Sequence, residues 1–160
     1  MTQSVTLRKM NENEYVQWKE WSISDYAQSL VQAEQCSEAN ARAQAELDFS
    51  SAMNDIPPQN NFLLIAENIE GVPVGMIWYE TKNPKWAFVA DFLVYDAYRR
   101  MGYGSAILAQ AERNIQSSKI LSIALHVFAH NTPAIKLYKK CGFVIEKADN
   151  GSIYMKKQLY

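Results

Sequence analysis

One stretch constrains this chain more than any other: Asp91–Gly104, which runs Asp-Phe-Leu-Val-Tyr-Asp-Ala-Tyr-Arg-Arg-Met-Gly-Tyr-Gly. An apolar strand ends near Val94 and a short polar turn follows. After Gly104 a helical pattern begins, with Ile107, Leu108, Ala111 and Ile115 on one face. The stretch reads as strand, Gly-rich loop, helix. That arrangement turns backbone N–H groups and a helix N-terminus toward one spot, which suits a phosphate or pyrophosphate. Glycine has no Cβ, so the backbone can approach a ligand closely. A Gly-x-Gly by itself is more often only a tight turn. No Lys-Ser or Lys-Thr follows the glycines, so this is not the nucleoside-triphosphate loop. The glycine spacing is also too short for the dinucleotide fingerprint. An anion site therefore needs support from elsewhere in the chain.

The totals narrow the choices. At 160 residues the chain fits one domain, residues 1–160, with length enough for a real core. Hydrophobic residues make up 48% and charged ones 21%, ordinary globular values. A net charge of -1 offers no basic excess for nucleic acid. The N-terminal residues lack the charged start and apolar core of a secretion signal, and no apolar run is long enough for a membrane span. Localisation is expected to be cytoplasmic. Cys36 and Cys141 are far apart in sequence, and a disulfide between them is not expected in such a chain. Two cysteines and two histidines, unclustered, argue against a metal site.

Taken in order, Val5–Met10 alternates as a first strand. Asn11 to about Met53 is helical, in three segments. Tyr15, Trp18 and Ile23 mark the first. Ser22 or Ser24 is expected to restart a helix as its N-cap. Ser37 or Glu38 opens the third segment, which Asp55-Ile56-Pro57-Pro58 stops because proline cannot continue a helix. Phe62–Glu67, Val72–Lys82 and Trp86–Val94 are strand-like, separated by turns at Asn68–Gly71 and Asn83-Pro84. This predicts an antiparallel meander. A helix runs from Gly104 to about Ser117. Ile120–Val127 is a nearly continuous apolar run, as in a strand buried on both faces. It lies across a helix from the third meander strand, which predicts a parallel crossover. A helix after Asn131 puts Ala134, Leu137, Tyr138 and Cys141 on one face and stops at Gly142. Val144–Lys147 and Ile153–Leu159 form a hairpin about Asp149-Asn150-Gly151. The fold class is α/β (α+β): a mixed, mostly antiparallel twisted sheet flanked by helices, splayed at its central parallel pair. A crevice at such a junction is a common ligand site in open α/β sheets.

A second block, His126–Phe143, reads His-Val-Phe-Ala-His-Asn-Thr-Pro-Ala-Ile-Lys-Leu-Tyr-Lys-Lys-Cys-Gly-Phe. With Arg99-x-x-Gly102-x-Gly104 upstream, the chain resembles the GNAT superfamily of N-acetyltransferases. The two blocks stand in that family's order and spacing, and together they cover about Trp86 to Phe143. The resemblance implies acetyl-CoA as donor. It implies that the backbone of Phe92, Leu93 and Val94 pairs with the pantetheine arm. Arg99, Arg100, Met101, Gly102, Tyr103, Gly104 and Ser105 would surround the pyrophosphate. Asn131 would hydrogen-bond the cofactor arm, with Thr132, Pro133 and Ala134 nearby, and Tyr138 would sit beside the thioester sulfur.

Acyl transfer to an amine sets three chemical requirements. A fixed donor must face the thioester oxygen as it gains charge; a backbone N–H near the end of Phe92–Val94 is the candidate. The departing thiolate must gain a proton, for which the resemblance implies Tyr138. The amine must lose one. Asp91 is one candidate for that task, or for holding the cationic amine, and it is equally readable as a structural carboxylate. Some relatives carry Glu-Asp before this segment where this chain has Ala90-Asp91, which weakens the case for a glutamate base. His126 is the other titratable candidate. Trp18, Trp21, Tyr26, Trp78 and Tyr79 could line an acceptor pocket or belong to the core; Tyr26 and Trp78, with Asp91, are the acceptor-site candidates. Cys141 reads as packing.

The expectation is an acetyl-CoA-dependent N-acetyltransferase. It would work by direct attack in a ternary complex, since no activated nucleophile is visible. The acceptor would be a small-molecule amine or a peptide or protein amine. A homodimer is compatible with the edge strands of such a fold. The rival reading is a non-catalytic acyl-CoA-binding sensor or interaction module, which would keep the Gly-rich loop and Asn131 but would not need Tyr138.

Overall fold

The computed structural model describes residues 2–82 and 85–160. The turn expected at Asn83-Pro84 lies outside the described residues. The strands are β1 (Thr6–Lys9), β2 (Asn61–Glu67), β3 (Pro73–Lys82), β4 (Trp86–Val94), β5 (Ser122–Phe128), β6 (Val144–Asp149) and β7 (Ser152–Gln158). The helices are α1 (Glu12–Gln32), α2 (Glu38–Asp55), α3 (Tyr103–Gln116) and α4 (Thr132–Lys140). One sheet has the order β1-β2-β3-β4-β5-β7-β6. Every neighbouring pair is antiparallel except β4 and β5.

Side-chain alternation decides which helices cover which face. On β3, Ile77 and Tyr79 join the core beneath α3, with Ile107, Ala111 and Ile115. Met76 and Trp78 join the core beneath α1 and α2, with Trp18, Leu30, Ala45 and Phe49. The sheet is thus buried on both sides in its middle. β6 is exposed along its whole length.

The expected helix break at Ser22 or Ser24 does not occur: α1 runs unbroken from its Asn11 cap to Gln32. Neither serine caps a backbone N–H. Ser22 Oγ donates to Asp91 Oδ2 on β4 and Ser24 Oγ to Glu20. The true start is a capping box, in which Asn11 Oδ1 accepts from Glu14 N–H while Glu14 accepts from Asn11 N–H. α2 begins after Ser37 and ends at Asp55, before the prolines.

The parallel junction sets the position of the site. β4 and β5 pair only from Trp86 opposite Ser122 to Val89 opposite Leu125. Beyond Val89, β4 stays on β3, with an irregularity in register opposite Trp78 and Tyr79. β5 stays on β7 as far as Phe128. The two strands therefore part, and a crevice opens between Ala90–Val94 and His126–Phe128.

Candidate active site

Backbone conformation prepares one side of the crevice. Arg100 and Gly102 both adopt left-handed conformations, with φ of 61° and 90°. Gly102 is the residue that leads into α3. The first backbone bond of that turn is Ala106 N–H to the Gly102 carbonyl. Among the described residues, none of the N–H groups from Arg100 to Ser105 makes a hydrogen bond of good geometry. Successive free N–H groups at a helix start form a cradle for an anion. Gly104 faces α4 at close range: a Cβ there would lie 2.9 Å from Leu137 Cδ2 and 3.7 Å from the Phe92 ring.

The flanking side chains divide the work. Arg99 turns back, with Nε donating to the Val94 carbonyl and a terminal nitrogen 3.2 Å from Asp96 Oδ1. Arg100 and Met101 are exposed beside the cradle. Tyr103 is buried against Tyr98. Ser105 Oγ accepts a weak bond from Cys141 Sγ at 3.8 Å, so Cys141 packs as expected. Asn131 caps α4, its Oδ1 accepting from Ala134 N–H at 3.3 Å. Its neighbours Thr132 and Pro133 are exposed.

Tyr138 stands at the crevice wall. It is 7% exposed, packed between Phe92 and Phe143. Its hydroxyl has no hydrogen-bond partner among the described residues. It is not sealed in, however, because among the described residues every fully buried polar side-chain atom has a partner. Burial, then the nearby Asp91 and Cys141, pushes its pKa well above the ordinary tyrosine value. It therefore keeps its proton at neutral pH.

Asp91 has a different standing. Trp18 Nε1–H and Ser22 Oγ–H donate to its Oδ2 at 2.9 and 3.0 Å. Phe92 N–H donates to its Oδ1 at 2.8 Å. Burial raises its pKa, and the three bonds oppose the rise. Most of its lone-pair sites are thus occupied by the protein. The carboxylate ties α1 to β4.

His126 is freer. Its Nε2 lies 2.9 Å from Ser152 Oγ, and Gln35 Nε2 donates to the same oxygen at 2.9 Å. Burial lowers its pKa below the usual histidine value, so the ring is neutral near pH 7. His130 lies in the loop after β5, stacked on Phe128.

These groups share one cleft of about 480 Å³, under α1 and α2. Its lining brings together Asp91, His126, Asn131, Tyr138, Tyr26 and Trp78, all expected from the sequence. Trp21 also lines it, whereas Trp18 and Tyr79 are core. Sequence reasoning missed Asp25, Asp48, Phe88, Ser152 and Tyr154 in the lining. It also missed Gly75, where a Cβ would collide with the Leu93 carbonyl oxygen. A glycine inside an apolar strand run was the available signal for that close approach.

Comparison with known proteins gives the family and the fold. The model of the acetyltransferase (GNAT) family matches residues 15–143. The uncharacterized N-acetyltransferase YdgE of Bacillus subtilis is 28% identical over 158 residues, covering 96% of this chain and 98% of that protein. The solved structure of YycN, also of Bacillus subtilis, superposes with a TM-score of 0.84 at 27% identity, covering 91% of this chain and 96% of that one. A PaiA N-acetyltransferase of Thermoplasma acidophilum, in complex with coenzyme A, shares the fold at a TM-score of 0.71 and 20% identity, covering 97% and 99%.

Proposed function

The chain belongs to the acetyltransferase (GNAT) family, and on that premise we propose that it moves an acetyl group from acetyl-CoA to a primary amine by direct attack, with both substrates bound. The observation that carries this reading is the run of free N–H groups from Arg100 to Ser105, which meets the crevice at Phe92 and Tyr138.

The residues fit the cofactor. A pyrophosphate needs N–H donors and a helix start, both present at the head of α3. A Cβ at position 104 would crowd Leu137 and narrow the space between α3 and α4. Arg100 supplies a charge beside the cradle, and the side-chain amide of Asn131 keeps its N–H donors for the cofactor arm. Bound there, acetyl-CoA supplies an acyl carbon joined to sulfur, which an amine nitrogen can take over as the carbon–sulfur bond breaks.

The chain's own groups manage charge and protons. Phe92 N–H is committed to Asp91 and the backbone of Leu93 faces β3 opposite Met76, so the donor to the thioester oxygen falls to Val94. His126, neutral and in the cleft lining, accepts the proton that the amine sheds. Tyr138 holds a proton at its hydroxyl and gives it to the departing sulfur. Help of this kind is typically worth ~10²–10⁴ in rate. Asp91 acts by holding α1 and β4 in place. The free Tyr138 hydroxyl favours the enzyme over a binding-only module, which would have no use for it.

The test is calorimetry with acetyl-CoA, then thiol release against an amine panel in the same sample. Binding with release for one amine class is the expected result. Binding with no release across amines and peptides would return the chain to the sensor reading. No binding would reduce the Gly-rich loop to a turn.

A further inference from the structure

The cleft lining has an unusual balance of charge. Three carboxylates face it, from Asp25 and Asp48 on the helices and Asp91 on β4. No lysine or arginine lines it. The one histidine, His126, is held neutral by burial. Arg99 and His130 act on Asp25 from outside the lining. A carboxylate or phosphate on the acceptor would find no counter-charge within this cleft.

The three acids are not equivalent. Asp91 already accepts three hydrogen bonds, from Trp18, Ser22 and Phe92 N–H. Asp48 accepts from Tyr26 Oη at 3.3 Å and from Gln44 at 2.8 Å. Asp25 is exposed to solvent, makes no hydrogen bond or ion pair among the described residues, and has its pKa raised by partial desolvation. The attacking amine must be neutral when it reacts, so it cannot balance Asp25 and Asp48. The unpartnered Tyr138 hydroxyl, on a side chain more than nine-tenths buried, marks the reacting end independently of the acids. Trp21, Tyr26, Phe88 and Tyr154 give the walls aromatic faces, which suit a cation or an apolar frame.

One end of the cleft is tied. Gln35, in the corner after α1, donates through Nε2 to the Asn150 carbonyl at 2.8 Å and to Ser152 Oγ. Gly151 packs so close that a Cβ there would lie 3.1 Å from the Ala33 carbonyl oxygen. The α1–α2 corner thus rests on the β6–β7 hairpin, and an extended polymer cannot cross between them without parting these contacts.

We propose that the acceptor is a compact organic cation that carries a second positive charge beside the reacting amine and has no carboxylate. The proposal rests on the acetyltransferase reading above. The test compares three amines on the unaltered protein with acetyl-CoA: 1,5-diaminopentane, lysine, which adds a carboxylate, and 1-aminopentane, which lacks the second charge. The expected result is a kcat/KM for the diamine at least about tenfold above each of the others. D48N and D25N should erode that preference, with circular dichroism reporting that they fold. Lysine or 1-aminopentane turned over as well as the diamine would overturn the proposal and leave the acetyltransferase reading standing, as would a peptide turned over better than all three. Acetyl-CoA binding with no release for any amine or peptide would sink both together.

Discussion

Tyr138 and His126 carry the residue-scale predictions. In Tyr138→Phe the ring keeps its packing against Phe92 and Phe143 and only the proton donor is lost. The expected outcome is a fall in kcat of roughly 10²-fold or more, with acetyl-CoA affinity unchanged by calorimetry. Full turnover in that variant would end the donor role. His126 sets a pH dependence whose sign follows from its environment. Burial lowers its pKa, and the form that can accept a proton is the neutral one. Activity should therefore be lost as pH falls through a value below the ordinary histidine pKa, and be fully present above it. The limb should vanish from the kcat/KM profile of His126→Gln, which would retain only residual activity. An unchanged limb in that variant would assign it to another group. At this scale the sequence block around His126 and Tyr138 leads to one crevice, whose lining holds both side chains. It gave no sign of Asp25 and Asp48. They look like solvent-facing acids on helices; Asp25 is exposed and Asp48 half-buried, and only the packing of α1 and α2 over the sheet brings them into the cleft lining.

Elements place those residues, and Gly75 is where the placement is tightest. It lies opposite Val94, and the atoms nearest to a Cβ there belong to Leu93, Ile107 and Val94. In Gly75→Ala the new methyl meets backbone, which cannot rotate away as a side chain can. Overpacking of this kind costs about 1–3 kcal/mol. The displaced segment is the proposed cofactor strand, so weaker acetyl-CoA binding should accompany the lower unfolding midpoint in urea. A variant as stable as the parent would mean that β4 can shift freely. The apolar run and its punctuation bound β4 as Trp86–Val94, and the structure has those bounds. Such signals are local. The expected break in α1 failed because the partner of Ser22 is Asp91, 69 residues away, and because Trp18, Ile23, Ala27 and Leu30 keep one buried face through the supposed break. Short-range capping rules cannot see a partner supplied by the sheet.

For the whole molecule, the central question is how the α1–α2 layer stays on the sheet above an open cleft. The layer has its own apolar core with Ile65, Met76, Trp78 and Phe128; Arg8 of β1 bonds Glu14 of α1 away from the cleft, and two further polar ties flank the cleft itself. One is Trp18 and Ser22 on Asp91, beside β3. The other is Gln35 on the hairpin beyond β5. A layer fixed at one end and tethered by hydrogen bonds at the other should open preferentially at the tether, since exposed polar contacts contribute less than buried apolar ones. Gln35→Ala removes both bonds from a side chain that is largely exposed, so global stability should fall by no more than about 1 kcal/mol. The local effect should be larger. The Ala129 amide, which donates to the Gly151 carbonyl, and the Gln35 amide, which donates to the Leu30 carbonyl, lie on the two sides of the tether. Both should exchange with solvent several-fold faster in the variant, while the amides of β3 should not change. Uniform acceleration across the sheet would mean that Gln35 contributes to the whole fold rather than to one end of the cleft. Unchanged exchange at Ala129 would mean that the apolar layer alone holds the cleft closed.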